Sequence, residues 1–181
     1  DIAKHMNGYK VVVQKSTVPV GTGVRIRDLI RSQRNGDHPF DVASNPEFLR
    51  EGSAVEDFMR PDRVVIGAET ERAKDLMKKV YRPLYLIETP ILVTDLETAE
   101  LVKHASNAFL ATKISFVNEI AAISELVGAN IDDVSKGMGL DGRIGSKFLH
   151  AGVGFGGSCL PKDISSLMHI ASSRGYEPHI V

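Results

Sequence analysis

The stretch from Asp95 to Val127, DLETAELVKHASNAFLATKISFVNEIAAISELV, decides the fold because it predicts one uninterrupted helix. Its apolar residues roughly keep helical spacing. Thr94-x-x-Glu97 at its start has the form of a capping box, and Gly128 provides a stop. A helix of about 30 residues is long for a globular domain. Such helices usually pack against another of their kind, so we expect this one to lie across a dimer.

Before that stretch, short β-branched runs alternate with helical patterns, and after it only helical patterns follow. The expected strands are residues 9–14, 40–44, 63–67 and 91–93, and the expected helices are 20–34, 71–81, 130–136 and 161–174. An Asn35-Gly36-Asp37 turn ends the first helix. The alternation predicts a doubly wound α/β unit. It begins in mid-fold, because no G-x-G-x-x-G follows a first strand, and we expect the chain to be a piece of a longer protein.

Composition excludes several classes of function. The chain has 181 residues, 43% of them hydrophobic, with 22 basic and 23 acidic residues that give a net charge of −1. This balance predicts neither a nucleic-acid nor a membrane partner, and no stretch has the length of a transmembrane helix. Six histidines without ligand spacing predict no metal site. The single cysteine excludes an internal disulfide and favours a reducing compartment, the cytoplasm.

That cysteine, Cys159, lies in the glycine-rich loop GVGFGGSCLPKD, Gly152 to Asp163. Pro161 marks the first turn of a helix. A thiol at a helix start meets unpaired N–H groups and the positive end of the dipole, which favour the nucleophilic thiolate. Lys162 adds positive charge, and Asp163 can fold back towards the same helix end. A small buried cysteine in a tight turn is the alternative.

Lys103 and Asn107 are four residues apart on the long helix and share a face. A lysine aimed into a site with an amide beneath it can stabilise an oxyanion. A solvated helical face is the default for lysine, although the apolar neighbours make a half-buried Lys103 plausible.

Three further signals are weaker. Glu47 and Glu51 in PEFLREG can supply a general base, or they can form a solvated helix start. Thr17 follows a strand where α/β folds place ligand-contacting loops, or it is the N-cap of a helix beginning near Pro19. Arg143, between glycines, can reach a phosphate or a neighbouring subunit, or it can lie in a plain surface loop.

Together these segments resemble the UDP-glucose/GDP-mannose dehydrogenase family. The resemblance rests on KSTVPVGT, SNPEFLREGSAVEDFMRPDRVVIG, AELVKHASNAFLATKISFVNEI and DGRIGSKFLHAGVGFGGSCLPKD. It covers residues 11–170, and its motifs are long and specific. It implies the C-terminal half of a Rossmann-like NAD-binding domain over residues 1–93, and an all-α central domain with a dimer-forming helix over residues 94–181.

The resemblance also implies a reaction: oxidation of UDP-glucose to UDP-glucuronate with two NAD and one water, in a homodimer. Cys159 would be the nucleophile that forms a thiohemiacetal and then a thioester. Lys103, with Asn107 beside it, would stabilise oxyanions. Asp163 and Thr17 would hold the catalytic water.

Binding roles follow from the same resemblance. Glu47 would act as the base in thioester hydrolysis, and Thr17, Glu51 and Lys162 would contact NAD. The residues expected at the UDP-sugar are Glu47, Phe48, Leu49, Lys103, Asn107, Arg143, Phe148, Leu149, Gly152, Phe155 and Gly156.

Two alternatives stay open. A sister enzyme acting on GDP-mannose or a UDP-N-acetylhexosamine would share Cys159, Lys103 and Asp163. The second alternative is a scaffold that dimerises but does not catalyse a reaction. We expect the 181 residues alone to be inactive.

Overall fold

A computed structural model describes residues 1–34 and 36–180, with the backbone alone at residues 85–87. Asn35 of the expected turn and Val181 at the end of the expected central domain lie outside the described residues. The chain forms two compact units, residues 1–103 and 104–181.

The first unit is built around a four-stranded sheet. Its elements are α1 (Ile2–His5), β1 (Lys10–Gln14), α2 (Thr22–Gln33), β2 (Phe40–Ser44), α3 (Ala54–Met59), β3 (Val64–Ala68), α4 (Glu71–Val80), a 3₁₀ turn (Arg82–Ile87), β4 (Ile91–Thr94) and the first turns of α5 (Leu96–Val127). The mixed α/β class and the long helix are as predicted.

The sheet has the strand order β1-β2-β3-β4 and is mostly parallel. β1 pairs with β2 in parallel, from Lys10 opposite Phe40 to Gln14 opposite Ser44, and β3 pairs with β4 in parallel. β2 and β3 are antiparallel and pair at only two positions. Parallel neighbours need a crossover that packs on the sheet. The connection between β2 and β3 carries only α3, which buries no residue, so it does not make such a crossover.

Successive residues of β2 point to opposite faces of the sheet, and each face has a core. Ala43 packs with residues of β3 and α4 on one face. Val42 packs on the other face with Ile30 of α2 and Leu96 of α5. All five residues of β3 are buried, as expected for a strand covered on both sides.

The start of α5 corrects the predicted capping box. Asp95, not Thr94, is the cap, because its carboxylate accepts the backbone N–H of Thr98 at 2.7 Å and the Thr98 hydroxyl at 2.9 Å. These hydrogen bonds, the backbone one foremost, hold the pKa of Asp95 below its usual value. Thr94 instead ends β4 opposite Gly67. A Cβ at Gly67 would lie 2.5 Å from the Asp95 carbonyl oxygen, so only glycine lets the helix start this close to β3.

The second unit contains the rest of α5, followed by α6 (Ile131–Gly139) and α7 (Cys159–Ser172). The Asn130 side chain caps α6 by accepting the N–H groups of Asp132 and Asp133. α7 begins two residues before the predicted start, so Pro161 still lies in its first turn. Among the described residues, no helix combines the length and apolarity that a membrane crossing requires.

Candidate active site

In the first unit, the site begins where β1 and β2 end side by side. Asn45, directly after β2, is buried, and its amide donates to the Val65 carbonyl at 2.7 Å. The Tyr81 hydroxyl donates to the Asn45 side-chain oxygen, and the Asn45 backbone N–H donates to the Gln14 carbonyl at 2.9 Å. The path of the chain after β2 is therefore fixed at its first residue.

Glu47 and Phe48, two and three residues after Asn45, bring a carboxylate and an aromatic ring to Lys103. Glu47 Oε1 lies 3.5 Å from Lys103 Nζ, and Glu47 Oε2 accepts the Leu49 N–H at 2.6 Å. The Phe48 ring lies under the Arg63 guanidinium at 3.8 Å and 5.3 Å from Lys103 Nζ. Lys103 is only 5% exposed, so a solvated face is wrong for this lysine. A buried ammonium with one partner carboxylate is suited to stabilising a negative oxygen.

A cavity lies beside this pair at the carboxyl ends of β1 and β2. Its lining residues are Gln14, Ser16, Thr17, Val18, Ser44, Pro46, Glu100 and Lys103. This is the edge at which open α/β sheets bind ligands. Thr17 therefore shares a cavity with Lys103. Its alternative role as an N-cap is wrong, because α2 begins at Thr22 and Gly21 occupies the cap position.

The segment after Phe48 is a closed loop and not a helix start. Residues 45–50 are irregular and α3 begins only at Ala54, so the helix-start interpretation of Glu47 and Glu51 is wrong. Arg50 binds Asp57 through its backbone N–H at 2.8 Å and through its guanidinium at 2.6 Å. These bonds hold the pKa of Asp57 far below its usual value. Leu49 and Glu51 are exposed on this loop.

In the second unit, Asp163 is the centre of a polar cluster. It is 1% exposed; Oδ2 accepts the Asn107 side-chain amide at 2.6 Å, and Oδ1 accepts Lys162 Nζ at 2.5 Å. Buried His104 lies with Nδ1 3.4 Å from the Asp163 carbonyl oxygen. The structure thus gives Asn107 a specific partner, and both Asp163 oxygens have a donor. A buried carboxylate held this way has a fixed orientation.

Cys159 is exposed and is the first residue of α7, as the sequence predicts for a reactive thiol. The buried-cysteine alternative is wrong for this chain. Its sulfur lies 3.8 Å from the Ser158 hydroxyl oxygen. Asp163 follows one helical turn later, so the thiol and the fixed carboxylate belong to the same helix end.

Two side chains of α5 hold the loop that precedes α7. Lys113 Nζ donates to the Ile144 carbonyl at 3.1 Å, and the Asn118 side-chain oxygen accepts the Gly152 N–H at 2.8 Å. Between these anchors Leu149 is buried, and Phe148 has a left-handed φ of 65°, which is strained for a bulky residue.

The remaining predicted binding residues are open to solvent. Gly152, Phe155 and Gly156 are exposed. Arg143 is also exposed and forms a two-point pair with Asp141, at 3.0 and 2.5 Å. That pairing lowers the pKa of Asp141 and raises that of Arg143. Within the described part of the chain, no cluster of three histidine, cysteine or carboxylate side chains could hold a metal ion.

Sequence reasoning missed the residues that support this site. Ser44 and Asn45 had a usable signal, because they are polar and follow a predicted strand. Glu100 is one turn before Lys103 on the same predicted helix, but no local signal indicates the partners of Glu100 or Tyr81, since these are 36 or more positions away in the sequence.

Comparison with known proteins shows the family of this chain. The NAD binding domain of the UDP-glucose/GDP-mannose dehydrogenase family matches residues 1–85, and the central domain of that family matches residues 97–181. UDP-glucose 6-dehydrogenase of Rhizobium meliloti is 58% identical over 96% of the chain and 40% of its own length. UDP-glucose 6-dehydrogenase TuaD of Bacillus subtilis is 54% identical over 97% of the chain and 37% of its own length.

Solved structures show the same likeness. A UDP-glucose dehydrogenase from Pyrobaculum islandicum superposes with a TM-score of 0.88 and 48% identity, over 94% of this chain and 39% of that one. The chain belongs to the UDP-glucose/GDP-mannose dehydrogenase family. It spans about two fifths of the length of the curated relatives described above.

Proposed function

We propose that the protein containing this chain oxidises UDP-glucose to UDP-glucuronate in two NAD-dependent steps. The observation that carries the proposal is the exposed thiol of Cys159 at the start of α7, one turn before the buried and fully paired carboxylate of Asp163. An accessible nucleophile beside a fixed polar group is what covalent capture of an aldehyde requires. The identities of 54 and 58% to UDP-glucose 6-dehydrogenases support this substrate.

The proposed domain organisation follows the family. Residues 1–93 would be the second half of a Rossmann-like NAD-binding domain, and residues 94–181 the central helical domain. α5 would also form the homodimer. In support, Phe109, Phe116 and Ile123 recur every seven residues along α5 and are exposed. A stripe of this spacing suits pairing with a second copy of the helix.

The chemistry proceeds through the thiol. The first oxidation removes a hydride from C6 of the sugar and a proton from its hydroxyl, giving an aldehyde. Cys159 then loses its thiol proton to solvent and its sulfur bonds to C6, while the carbonyl oxygen takes the electron pair of the C=O double bond and becomes the alkoxide of a thiohemiacetal. Loss of a second hydride gives a thioester. Water then attacks the thioester carbon, the C–S bond breaks, and the carboxylate and the free thiol result.

Lys103 would stabilise the negative oxygens of these steps, because its ammonium is buried and has a partner carboxylate. Glu47 lies 3.5 Å from that ammonium and would take the proton from the attacking water. Asp163, oriented by Asn107, would hold this water, and Thr17 would assist from the cavity at the strand ends.

NAD, when bound, accepts the hydride in each oxidation. The residues present fit this cofactor in one respect: the cavity with Thr17 lies at the carboxyl edge of parallel strands. Thr17, Glu51 and Lys162 would contact it. The UDP-sugar would be held by Phe48, Leu49, Arg143 and the loop that carries Phe148 to Gly156. We place the protein in the cytoplasm, where a free thiol stays reduced.

The proposal is tested in the full-length protein with Cys159→Ser and, as the matched control, Ser158→Ala. Wild type and control should release two NADH per UDP-glucose. Cys159→Ser should lose the second oxidation, because an alcohol is a much weaker nucleophile at neutral pH. An unchanged NADH yield in that variant would contradict the role of the thiol.

A second arm uses a panel of nucleotide sugars and the variant Lys103→Ala. UDP-glucose should be oxidised with the highest kcat/KM, and a preference for GDP-mannose or a UDP-N-acetylhexosamine would replace the proposed substrate. Lys103→Ala should lower kcat by roughly two to three orders of magnitude, as for a lost oxyanion donor. A loss of less than about threefold would remove Lys103 from the chemistry.

A further inference from the structure

Glu100 is a buried carboxylate that the proposed chemistry does not use. It lies on α5 one turn before Lys103 and is 4% exposed. Its Oε2 accepts the Gly21 N–H at 2.7 Å. Its Oε1 accepts the Gly23 N–H at 2.8 Å and the Ser44 hydroxyl at 3.0 Å. A buried charge with three donors is oriented on every side.

Two of these donors belong to the amino end of α2, where unpaired N–H groups and the helix dipole favour an anion. Gly21 has a left-handed φ of 94°. A Cβ at Gly23 would lie 3.0 Å from Ser44 Oγ and 3.1 Å from Glu100 Oε1. Glycine at both positions allows the carboxylate to reach the backbone. The glycines at positions 21 and 23 therefore favour the contact between the start of α2 and the Glu100 carboxylate.

This carboxylate joins three segments that each carry a residue of the candidate site. The loop before Gly21 carries Thr17, the strand that ends at Ser44 leads to Glu47, and the helical turn after Glu100 carries Lys103. Glu100, Thr17 and Lys103 also line the same cavity. A shift of this part of α5 relative to the start of α2 and the end of β2 would move Lys103 relative to both Thr17 and Glu47.

We infer that Glu100 is a positioning residue, which fixes the Lys103 ammonium relative to Thr17 and Glu47. This inference rests on the proposed function for its kinetic consequence and on the contacts of Glu100 for its geometry. All three hydrogen bonds of Glu100 come from donors of the protein itself. We therefore expect Glu100 to affect the reaction only through the position of Lys103.

The test is a double-mutant cycle in the full-length protein, with Glu100→Gln made in the wild-type and Lys103→Met backgrounds. The matched control is Glu97→Gln, an exposed glutamate one turn earlier on the same helix. Glutamine keeps the shape but directs an NH₂ group at a donor. Glu100→Gln should lower kcat about 10- to 100-fold, the range for a displaced catalytic group. KM for UDP-glucose should stay within about twofold, because both carboxylate oxygens of Glu100 are bound to donors of the protein itself.

Coupling separates positioning from simple loss of stability. In the Lys103→Met background, Glu100→Gln should cost less than about twofold, because the group it positions is already absent. Equal losses in both backgrounds would overturn the inference. Ser44→Ala removes one of the three bonds and should give a smaller loss with the same coupling, so it decides the question if Glu100→Gln does not fold.

A measurement without substrate separates this inference from the proposed function. Acylation of Lys103 by an amine reagent, followed by peptide mass spectrometry and normalised to Lys74, should be at least about fivefold faster in Glu100→Gln, since opening of a packed site sets the rate. Unchanged acylation would overturn the positioning role even if the protein is active. If wild type oxidises no nucleotide sugar, the proposed function fails, and the acylation rates still decide the role of Glu100.

Discussion

Asn107→Ala removes the amide that donates to the buried carboxylate of Asp163. The bond is 2.6 Å long, and Asp163 is 1% exposed, so water cannot replace the lost donor without opening the cluster. A hydrogen bond to a charged group contributes about 1.5–3 kcal/mol. Lys162 still pairs with the other oxygen, so we take about 2 kcal/mol, in the middle of that range. This corresponds to a change of roughly 30-fold in the equilibrium for opening the cluster.

Amide hydrogen exchange suits this measurement because it reports on α7 separately in a chain that has two compact units. The backbone amides of 163–172 on α7 should exchange about 30-fold faster in Asn107→Ala than in wild type. The matched control is Asn118→Ala. It removes an amide of the same helix whose partner is the neutral, exposed N–H of Gly152, so its effect should stay below about 1 kcal/mol.

Two results would refute this reasoning. If Asn107→Ala changes the exchange of α7 by less than about twofold, the bond to Asp163 does not hold the helix. If Asn118→Ala has an equal or larger effect on the same amides, charge and burial are not what gives the Asn107 bond its strength.

Other predictions concern packing, pH and assembly. Gly67→Ala should lower the free energy of unfolding in urea titrations by about 1–3 kcal/mol, because α5 starts too close to β3 for a Cβ. Gly137→Ala has open space around it and should raise that free energy by up to about 1 kcal/mol. Equal effects of the two substitutions would contradict this. Burial and the hydrogen bond to Asp41 raise the pKa of Tyr9 to about 12. The unfolded value is about 10, so this stability is present below about pH 10 and lost as pH rises through about 12. Tyr9→Phe should flatten the pH dependence of the urea midpoint there, and an unchanged slope would exclude Tyr9 as its source. Phe116→Lys should give a monomer in light scattering, and a persistent dimer would exclude the exposed stripe of α5 as the interface.

The elements that sequence predicted well are those with a long or complete local pattern. β2 was predicted at residues 40–44 and α5 at 95–127, and the structure has Phe40–Ser44 and Leu96–Val127. α3 was missed because its six residues are too few to show a period, and it buries none of them. The antiparallel pairing of β2 with β3 depends on how the connection packs, which no local pattern reports. The cap of α5 was misassigned by one residue because β4 needed Thr94.

The residues of the candidate site also divide into those with a local sequence signal and those without one. The thiol of Cys159 and the acid of Asp163 were predicted from a glycine-rich loop and a proline, both local signals. No local pattern decides the burial of Lys103, because its partner Glu47 lies more than fifty positions away in the sequence. Roles such as water holding by Thr17 came from resemblance alone and stay predictions.

The two anchors that α5 provides to the loop before α7 have a consequence for engineering. Lys113 and Asn118 are five residues apart on one helix, a rise of about 7.5 Å, and they fix the chain at Ile144 and Gly152. A segment that is held at both ends by one rigid helix can be exchanged as a unit. Grafting the corresponding segment of another nucleotide-sugar dehydrogenase between these anchors should therefore exchange Phe148 and Leu149, two of the residues proposed to hold the sugar, and leave the register of α7, and with it the thiol, in place.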